Sequence, residues 1–267
     1  MAYSQAQTAA WLARLKAAGI DEASFDLRHI LLAAINAEMA DSMVTRRVNR
    51  EPLSHILGDK PFWTLDLKVT PDVLTPRADT ETLVEVVLKQ IDDWQAALRL
   101  ADFGTGSGAI LLALVSELPN SHGIGIDLSE SALAIARENA VRNQLSDRVQ
   151  FQTGDWAAGL ADQSVDIAVS NPPYIASAVL AALDPEVKDH EPHLALDGGA
   201  DGLNAYRLLM PQLFRILVPG GLMAVEIGHD QAGAVSELAR SAGFADARTA
   251  RDLAGNDRTV WARKREK

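Results

Sequence analysis

No cysteine occurs among the 267 residues. That absence excludes disulfides, thiolate metal sites and a cysteine nucleophile, and it suits a reducing compartment. Long apolar runs are missing too. No stretch approaches the roughly 20 apolar residues of a membrane span, and the start, MAYSQAQTAAWLARLKAAGI, lacks the apolar core of a secretory signal. A cytoplasmic location without membrane contact is expected. Positive charge is the minority sign: 25 Lys and Arg stand against 36 Asp and Glu, for a formal net charge of -11. This argues against affinity built on phosphate contacts, although it leaves room for a local basic patch. The short clusters TRRVNR (Thr45 to Arg50) and RKREK (Arg263 to Lys267) read as solvated surface. Six histidines show no metal-ligand spacing, so no metal site is expected. Internal repeats and low-complexity tracts are absent. What remains, 48% hydrophobic and 23% charged, is enough for one large domain plus a small one.

Along the first fifty residues, apolar positions recur at helical spacing, with Gly19 as a stop and Asp21 as the N-cap of a second helix. From Pro61 to Leu74 the period changes to two, which predicts a hairpin or extended connector ending near Thr75. Asp79 is expected to cap a helix over Thr80 to Ile91. Beyond Ala97, strand and helix patterns alternate, which is the signature of an α/β domain whose parallel sheet carries helices on both faces. Later segments continue the series: a helix from Asn204 to Leu217 stopped by Pro219-Gly220-Gly221, a strand in GLMAVEIG, a helix from Gln231 to Ser241 and a last strand in RTVWARK.

The first strand of that domain runs into ADFGTGSGAI, which places Gly104, Gly106 and Gly108 at a turn into a helix, with Thr105 and Ser107 between them. Glycines suit a sharp bend whose backbone approaches a ligand. Taken alone the loop is compatible with a nicotinamide or flavin enzyme, or with a purely structural turn. Asp127 ends the next strand and can accept both hydroxyls of a ribose; it could instead cap the following helix, but Ser129 is available for that. The third strand ends in TGDW, where Asp155 can accept an adenine amino group and Trp156 can cover the ring.

The fourth strand, VDIAV, runs into SNPPY and must end at Asn171, because two prolines remove two N–H donors and fix two φ angles. The Asn171 oxygen and the Pro172 carbonyl can accept the two hydrogens of a planar nitrogen, the Pro172-Pro173 pair keeps them rigid, and Tyr174 can pack on the flat face. Pinning both hydrogens favours the form of the nitrogen whose lone pair is available, so the site calls for an electrophile rather than for a general base. A methyl sulfonium meets that need and a hydride carrier does not. The combination points to S-adenosyl-L-methionine.

With these blocks in place, the chain resembles the release factor glutamine methyltransferase family. The likeness runs through EPLSHILG (Glu51 to Gly58), FWTLDLKVTPDVLTPRADTE, DFGTGSG, GDW, SNPPYI, EPHLALDGGADGLNAYR (Glu191 to Arg207) and DLAGNDR (Asp252 to Arg258). NPPY alone is shared with enzymes that methylate amino groups of bases. The resemblance implies a Rossmann-like seven-stranded S-adenosylmethionine-dependent methyltransferase domain over residues 76–267, its last strand antiparallel. Before it come a small helical domain over residues 1–58 that contacts the release factor and a hairpin linker over residues 59–75. It also implies that the substrate is the glutamine of the Gly-Gly-Gln motif of bacterial-type release factors, with S-adenosyl-L-homocysteine as the other product. Gly104 to Gly108, Asp127, Trp156 and Asn171 match its cofactor positions, and Asn171, Pro172, Pro173 and Tyr174 match its substrate motif. Asp155 and Arg77 are added to the cofactor set and the site on chemistry alone. Two departures stand out: Ala78 replaces a second proline in TPRADTE, and the helical region before Glu51 is shorter than the family's. A monomer without direct nucleic-acid contact is expected. The rivals are an amino methyltransferase acting on a flipped base and a non-catalytic module that keeps the pocket as a sensor. His190-Glu191 and Asp197-Gly198-Gly199 are expected to shape the loop after the site, and Trp11 and Trp63 to be packing anchors.

Overall fold

The computed structural model describes residues 3–266, so Met1, Ala2 and Lys267, the last residue of the RKREK cluster, lie outside the described residues. The described chain opens with helices α1 (Gln5–Ala17), α2 (Ala23–Ala33), α3 (Ala37–Val48) and α4 (Leu53–Leu57). Ser4 starts α1 with a capping box, its hydroxyl accepting from the Gln7 amide while the Gln7 side chain accepts from the Ser4 N–H. Gly19 makes the expected stop at φ 69°, but Asp21 does not cap α2. Glu22 holds that place without a side-chain bond. Trp11, Leu15, Ile30 and Val44 close a core of their own here, and the Trp11 indole donates to Asp41 at 2.8 Å.

Strands β1 (Asp59–Phe62) and β2 (Leu65–Lys68) form the antiparallel hairpin. Its turn holds Trp63 at φ 57°, costly for an aromatic residue, and two bonds keep it there: its N–H donates to Glu81 at 2.8 Å and its indole to Glu117 at 2.7 Å. The chain then reaches α5 (Glu81–Lys89) through a short turn over Ala78–Thr80. Asp79 does not cap this helix; its carboxylate lies 3.3 Å from Arg258 instead.

The remainder is β3 (Arg99–Phe103), α6 (Ala109–Glu117), β4 (His122–Asp127), α7 (Glu130–Arg142), β5 (Val149–Thr153), β6 (Val165–Ser170), α8 (Pro185–Lys188), α9 (Asn204–Ile216), β7 (Leu217–Glu226), α10 (Ala232–Ala242), β8 (Arg248–Arg251) and β9 (Asp257–Arg263). The seven strands of the large sheet lie in the order β5-β4-β3-β6-β7-β9-β8. β9 runs antiparallel between β7 and β8. The domain is therefore an α/β sandwich of the expected Rossmann-like kind, with an edge strand, β8, that the sequence pattern did not announce. Helix α6 is apolar and buried on every side from Ala109 to Val115, packed on β3 and β4 beside α5, which lies on the same sheet next to it. Helices α9 and α10 cover the opposite face. Helix α9 stops at Ile216, earlier than Pro219-Gly220-Gly221; those residues lie within β7, next to a shift in its pairing with β6.

The basic cluster Thr45 to Arg50 is not simply solvated. Arg47 meets Asp26 at 2.6 Å and Glu186 at 2.9 Å, and Arg50 meets Glu186 at 2.7 Å. The helical unit is thereby bound to α8, in the segment that follows SNPPY. At the other cluster, Arg263 and Lys264 donate to backbone carbonyls. Among the described residues no helix is long and apolar enough to cross a membrane, and no group of His, Asp or Glu is arranged to hold a metal ion.

Candidate active site

The chain winds outward from β3 to β4 to β5, then returns to place β6 on the other side of β3. The loops leaving β3 and β6 therefore part at the carboxyl edge of the sheet and open a crevice between them, the usual ligand position in such folds. Ser170 joins the two ends, donating to the Phe103 carbonyl at 2.6 Å.

The loop after β3 is built from backbone. Gly104 and Gly106 take φ values of 66° and 53°, where a side chain would be strained. The N–H groups of Gly104 and Thr105 share the Ile126 carbonyl at 2.8 and 3.1 Å, and the Thr105 hydroxyl donates to Asp102 at 2.7 Å. Buried Asn139 donates to the Ser107 carbonyl at 2.9 Å and exchanges bonds with Lys68, so the hairpin helps to fix the loop. Gly108 stands at the N-cap of α6, where a Cβ would press on Leu112 and Ala136.

A cavity of about 200 Å³ lies over this loop, walled by Gly104 to Ser107, Asp127, Trp156, Asn171 and Pro173, with the linker from Asp72 to Arg77 across it. Asp127 is more engaged than the sequence implied. One oxygen accepts from Gly106 N–H and the other from Ser129 N–H, both at 2.9 Å. Each keeps a second lone pair. Ser129 does cap α7, accepting from Ala132 N–H at 3.2 Å. Trp156 borders the cavity at φ 50°. Its neighbour Asp155 does not: it is exposed and outside the cavity wall, because the left-handed turn at Trp156 carries the indole inward and leaves the preceding side chain in solvent.

A second cavity of about 180 Å³ adjoins the first and shares Leu74, Arg77, Asn171 and Ala195 with it; Tyr174, Ile175 and Glu226 belong to the second alone. The Asn171 amide donates to the Thr80 hydroxyl at 3.4 Å, which leaves its oxygen free to accept. Pro172 is buried and lines neither cavity, although among the described residues its carbonyl takes no hydrogen bond. The Tyr174 hydroxyl donates to Glu226 at 3.3 Å, and its backbone carbonyl accepts from Gln231 at 3.0 Å. Burial first, then the nearby Glu226 charge, pushes the Tyr174 phenol well above its ordinary value.

Sequence reasoning missed Glu226. It is the last residue of β7 and only 1% exposed. Burial pushes its carboxyl up to about 7, against the pull of the Thr80 hydroxyl, the Arg258 charge and the Tyr174 hydroxyl. A signal was present: one acid inside the apolar strand GLMAVEIG. Glu191 was read as loop-shaping, and it is. It accepts from Arg77 at 2.7 Å and from Thr75 N–H at 3.4 Å, latching the linker onto the segment beyond SNPPY. The glycines of Asp197-Gly198-Gly199 and Gly202 permit close packing there; a Cβ on Gly202 would come within 2.3 Å of the Tyr174 carbonyl.

Comparison with known proteins places this geometry. A family model described as a methyltransferase domain matches residues 95–252. A Caulobacter vibrioides protein named release factor glutamine methyltransferase is 48% identical over 272 residues, covering 94% of this chain and 94% of that one. A protein of the same name from Rhodospirillum rubrum is 42% identical over 96% of this chain and 83% of its own. Among solved structures, a methyltransferase from Pyrococcus furiosus shares the fold, with a TM-score of 0.56 at 19% identity over 75% of this chain and 89% of that one. The chain is a methyltransferase, and it belongs to the release factor glutamine methyltransferase family.

Proposed function

We propose that this enzyme methylates the side-chain amide nitrogen of the glutamine in the Gly-Gly-Gln motif of bacterial-type peptide chain release factors, using S-adenosyl-L-methionine and leaving S-adenosyl-L-homocysteine. One observation carries the reading: Asn171 borders both cavities with its amide nitrogen donating to Thr80 and its oxygen unengaged among the described residues. An acceptor at that junction can hold a planar N–H beside a second ligand.

The first cavity fits the cofactor. Around Gly106 there is open space where a Cβ would stand, and Asp127 has acceptor capacity left for ribose hydroxyls beside the indole of Trp156. When bound, the cofactor supplies a methyl group activated by a sulfonium. The chain does the rest. Backbone amides and Asp127 hold one partner, while the Asn171 oxygen and the Pro172 carbonyl receive the two hydrogens of the substrate amide, and Tyr174 bounds the space beside it. The substrate nitrogen is a weak nucleophile, so orientation contributes most of what the protein supplies.

Contact with the release factor is assigned to the helical unit. Phe25, Leu32, Ile35 and Met39 are 52, 74, 71 and 40% exposed there, a group of apolar side chains in which Phe25 also meets the His29 ring. The test is transfer of labelled methyl from S-adenosylmethionine to unmodified release factor, beside a factor whose loop glutamine is replaced and beside DNA and RNA. Label on the intact factor alone supports the reading. Label on nucleic acid transfers the site to base methylation, and label on the glutamine-replaced factor means that another residue is the acceptor.

A further inference from the structure

Resting on the amide-methylation reading above, we propose that Glu226 faces the substrate amide across the second cavity, as counter-charge to the nitrogen being methylated and as acceptor of the proton it loses. Glu226 lies in the wall of that cavity with Asn171 and Tyr174, and is 1% exposed. Its Oε1 takes the Tyr174 hydroxyl at 3.3 Å and the Thr80 hydroxyl also pulls on the carboxyl, while Oε2 makes no well-formed hydrogen bond among the described residues. Buried carboxylate oxygens in folded proteins are ordinarily satisfied, so one without a well-formed bond, on a residue of the cavity wall, has acceptor capacity to spare. The backbone beneath it is fixed, since the buried Tyr206 hydroxyl donates to the Glu226 carbonyl at 2.7 Å.

The surroundings do not neutralise it. The charged and titratable groups that bear on it are Tyr174, Tyr206, Asp79 and Arg258, with Arg77 in the same cavity wall. Arg258 forms ion pairs with Asp252 at 3.0 Å and Asp79 at 3.3 Å, and makes none with Glu226. In the reaction the amide nitrogen uses its lone pair to form the N–C bond, the C–S bond of the sulfonium donor breaks with its pair going to sulfur, and the nitrogen becomes cationic. The N–H pair then returns to nitrogen as the proton passes to Glu226 Oε2, giving a neutral carboxylic acid, a neutral thioether and a neutral methylamide. An ionised carboxylate beside that nitrogen stabilises the charge as it develops.

The experiment is single-turnover methyl transfer to unmodified release factor from about pH 5.5 to about pH 9, on the wild-type enzyme, Glu226→Gln and Glu226→Asp, with cofactor affinity measured by calorimetry. Independent of turnover, the glutamate carboxyl carbons of the labelled free enzyme are titrated by NMR. The wild-type rate is expected to rise with pH through an inflection near 7, where burial has moved this carboxyl. Glu226→Gln should lose the inflection and about 10²-fold in rate with cofactor affinity unchanged. It should also lose a resonance titrating in that range, and Glu226→Asp should keep an inflection. A wild-type enzyme that turns over while Glu226→Gln keeps its rate or its inflection overturns the role of Glu226 alone, as does the absence of any glutamate titrating near neutrality. A wild-type enzyme inert toward the factor overturns the substrate reading, and this inference falls with it.

Discussion

The two cavities that meet at Asn171 are made of different materials. The floor of the first is backbone: its loop amides are bonded to Ile126 and Asp127, and of its two wall carboxylates Asp127 is already held by two N–H donors and Asp72 by the Thr70 hydroxyl. The buried carboxyl with an unmet oxygen on that side, Asp102, stands behind the wall, where Thr105 takes its other oxygen. In the second cavity the unmet oxygen belongs to the wall itself, on Glu226. A finished surface suits the adenosine part of the cofactor, which is the same before and after transfer. An unfinished one suits a group whose charge changes during the reaction.

The sharpest break in this comparison is at Asn171, one of the residues that the two cavities share. Asn171→Ala should lower methyl transfer by about 10³-fold, because the acceptor for the amide is gone, while calorimetry finds cofactor affinity within a few-fold of wild type. Equal losses in both measurements would mean that the cavities are one site. Next, Asp127→Ala should weaken cofactor binding by about 10²-fold through lost charged hydrogen bonds, with the transfer rate at saturating cofactor little changed. Unaltered affinity in calorimetry would remove Asp127 from the ribose role.

Stability of the free enzyme against pH probes the two unmet carboxyls together. Asp102 and Glu226 are both raised to about 7, so the folded chain holds these protons to higher pH than the unfolded chain does. Their stabilisation is whole in acid below the unfolded carboxylate range and is lost as pH rises through 7. Unfolding free energies from denaturant titration should therefore fall between about pH 5 and about pH 8 by an amount on the order of 5 kcal/mol, and Asp102→Asn or Glu226→Gln should flatten part of the slope. A slope unchanged in both variants would show that neither carboxyl holds its proton that far. The smallest effect expected is at Gly106→Ala. No atom lies within 4 Å of the added methyl, so only the left-handed backbone at φ 53° resists it, at about 1 kcal/mol. Because the methyl would stand in the space assigned to the cofactor, affinity should fall by about 10-fold beside that small loss of stability, and unaltered affinity would mean that the open space is not ligand space.

How much of this was legible in the sequence follows the range of the interactions. The glycine loop, the strand ends and SNPPY could be read because each depends on neighbours a few residues away. Strand β8 could not: RTAR sits at the sheet edge with mostly exposed side chains, so it has no apolar alternation to announce it. The caps assigned to Asp21 and Asp79 failed for a related reason, since local preference was outweighed, in the case of Asp79 beside Arg258, by a distant partner. The clamp between Arg47, Arg50 and Glu186 joins residues 139 and 136 apart, and nothing local predicts it. Removing Glu186 would leave two largely buried arginines short of a partner, which makes the helical unit and the segment beyond SNPPY one mechanical piece.

The position of β9 has a consequence for how the protein is made. β7 is complete by Glu226, but the strand that covers its outer edge begins only at Asp257. A ribosome emitting this chain therefore exposes a central, almost wholly apolar strand with an unpaired edge until some thirty further residues have followed. Truncation within that interval should yield insoluble product even though every residue of both cavities has already been translated.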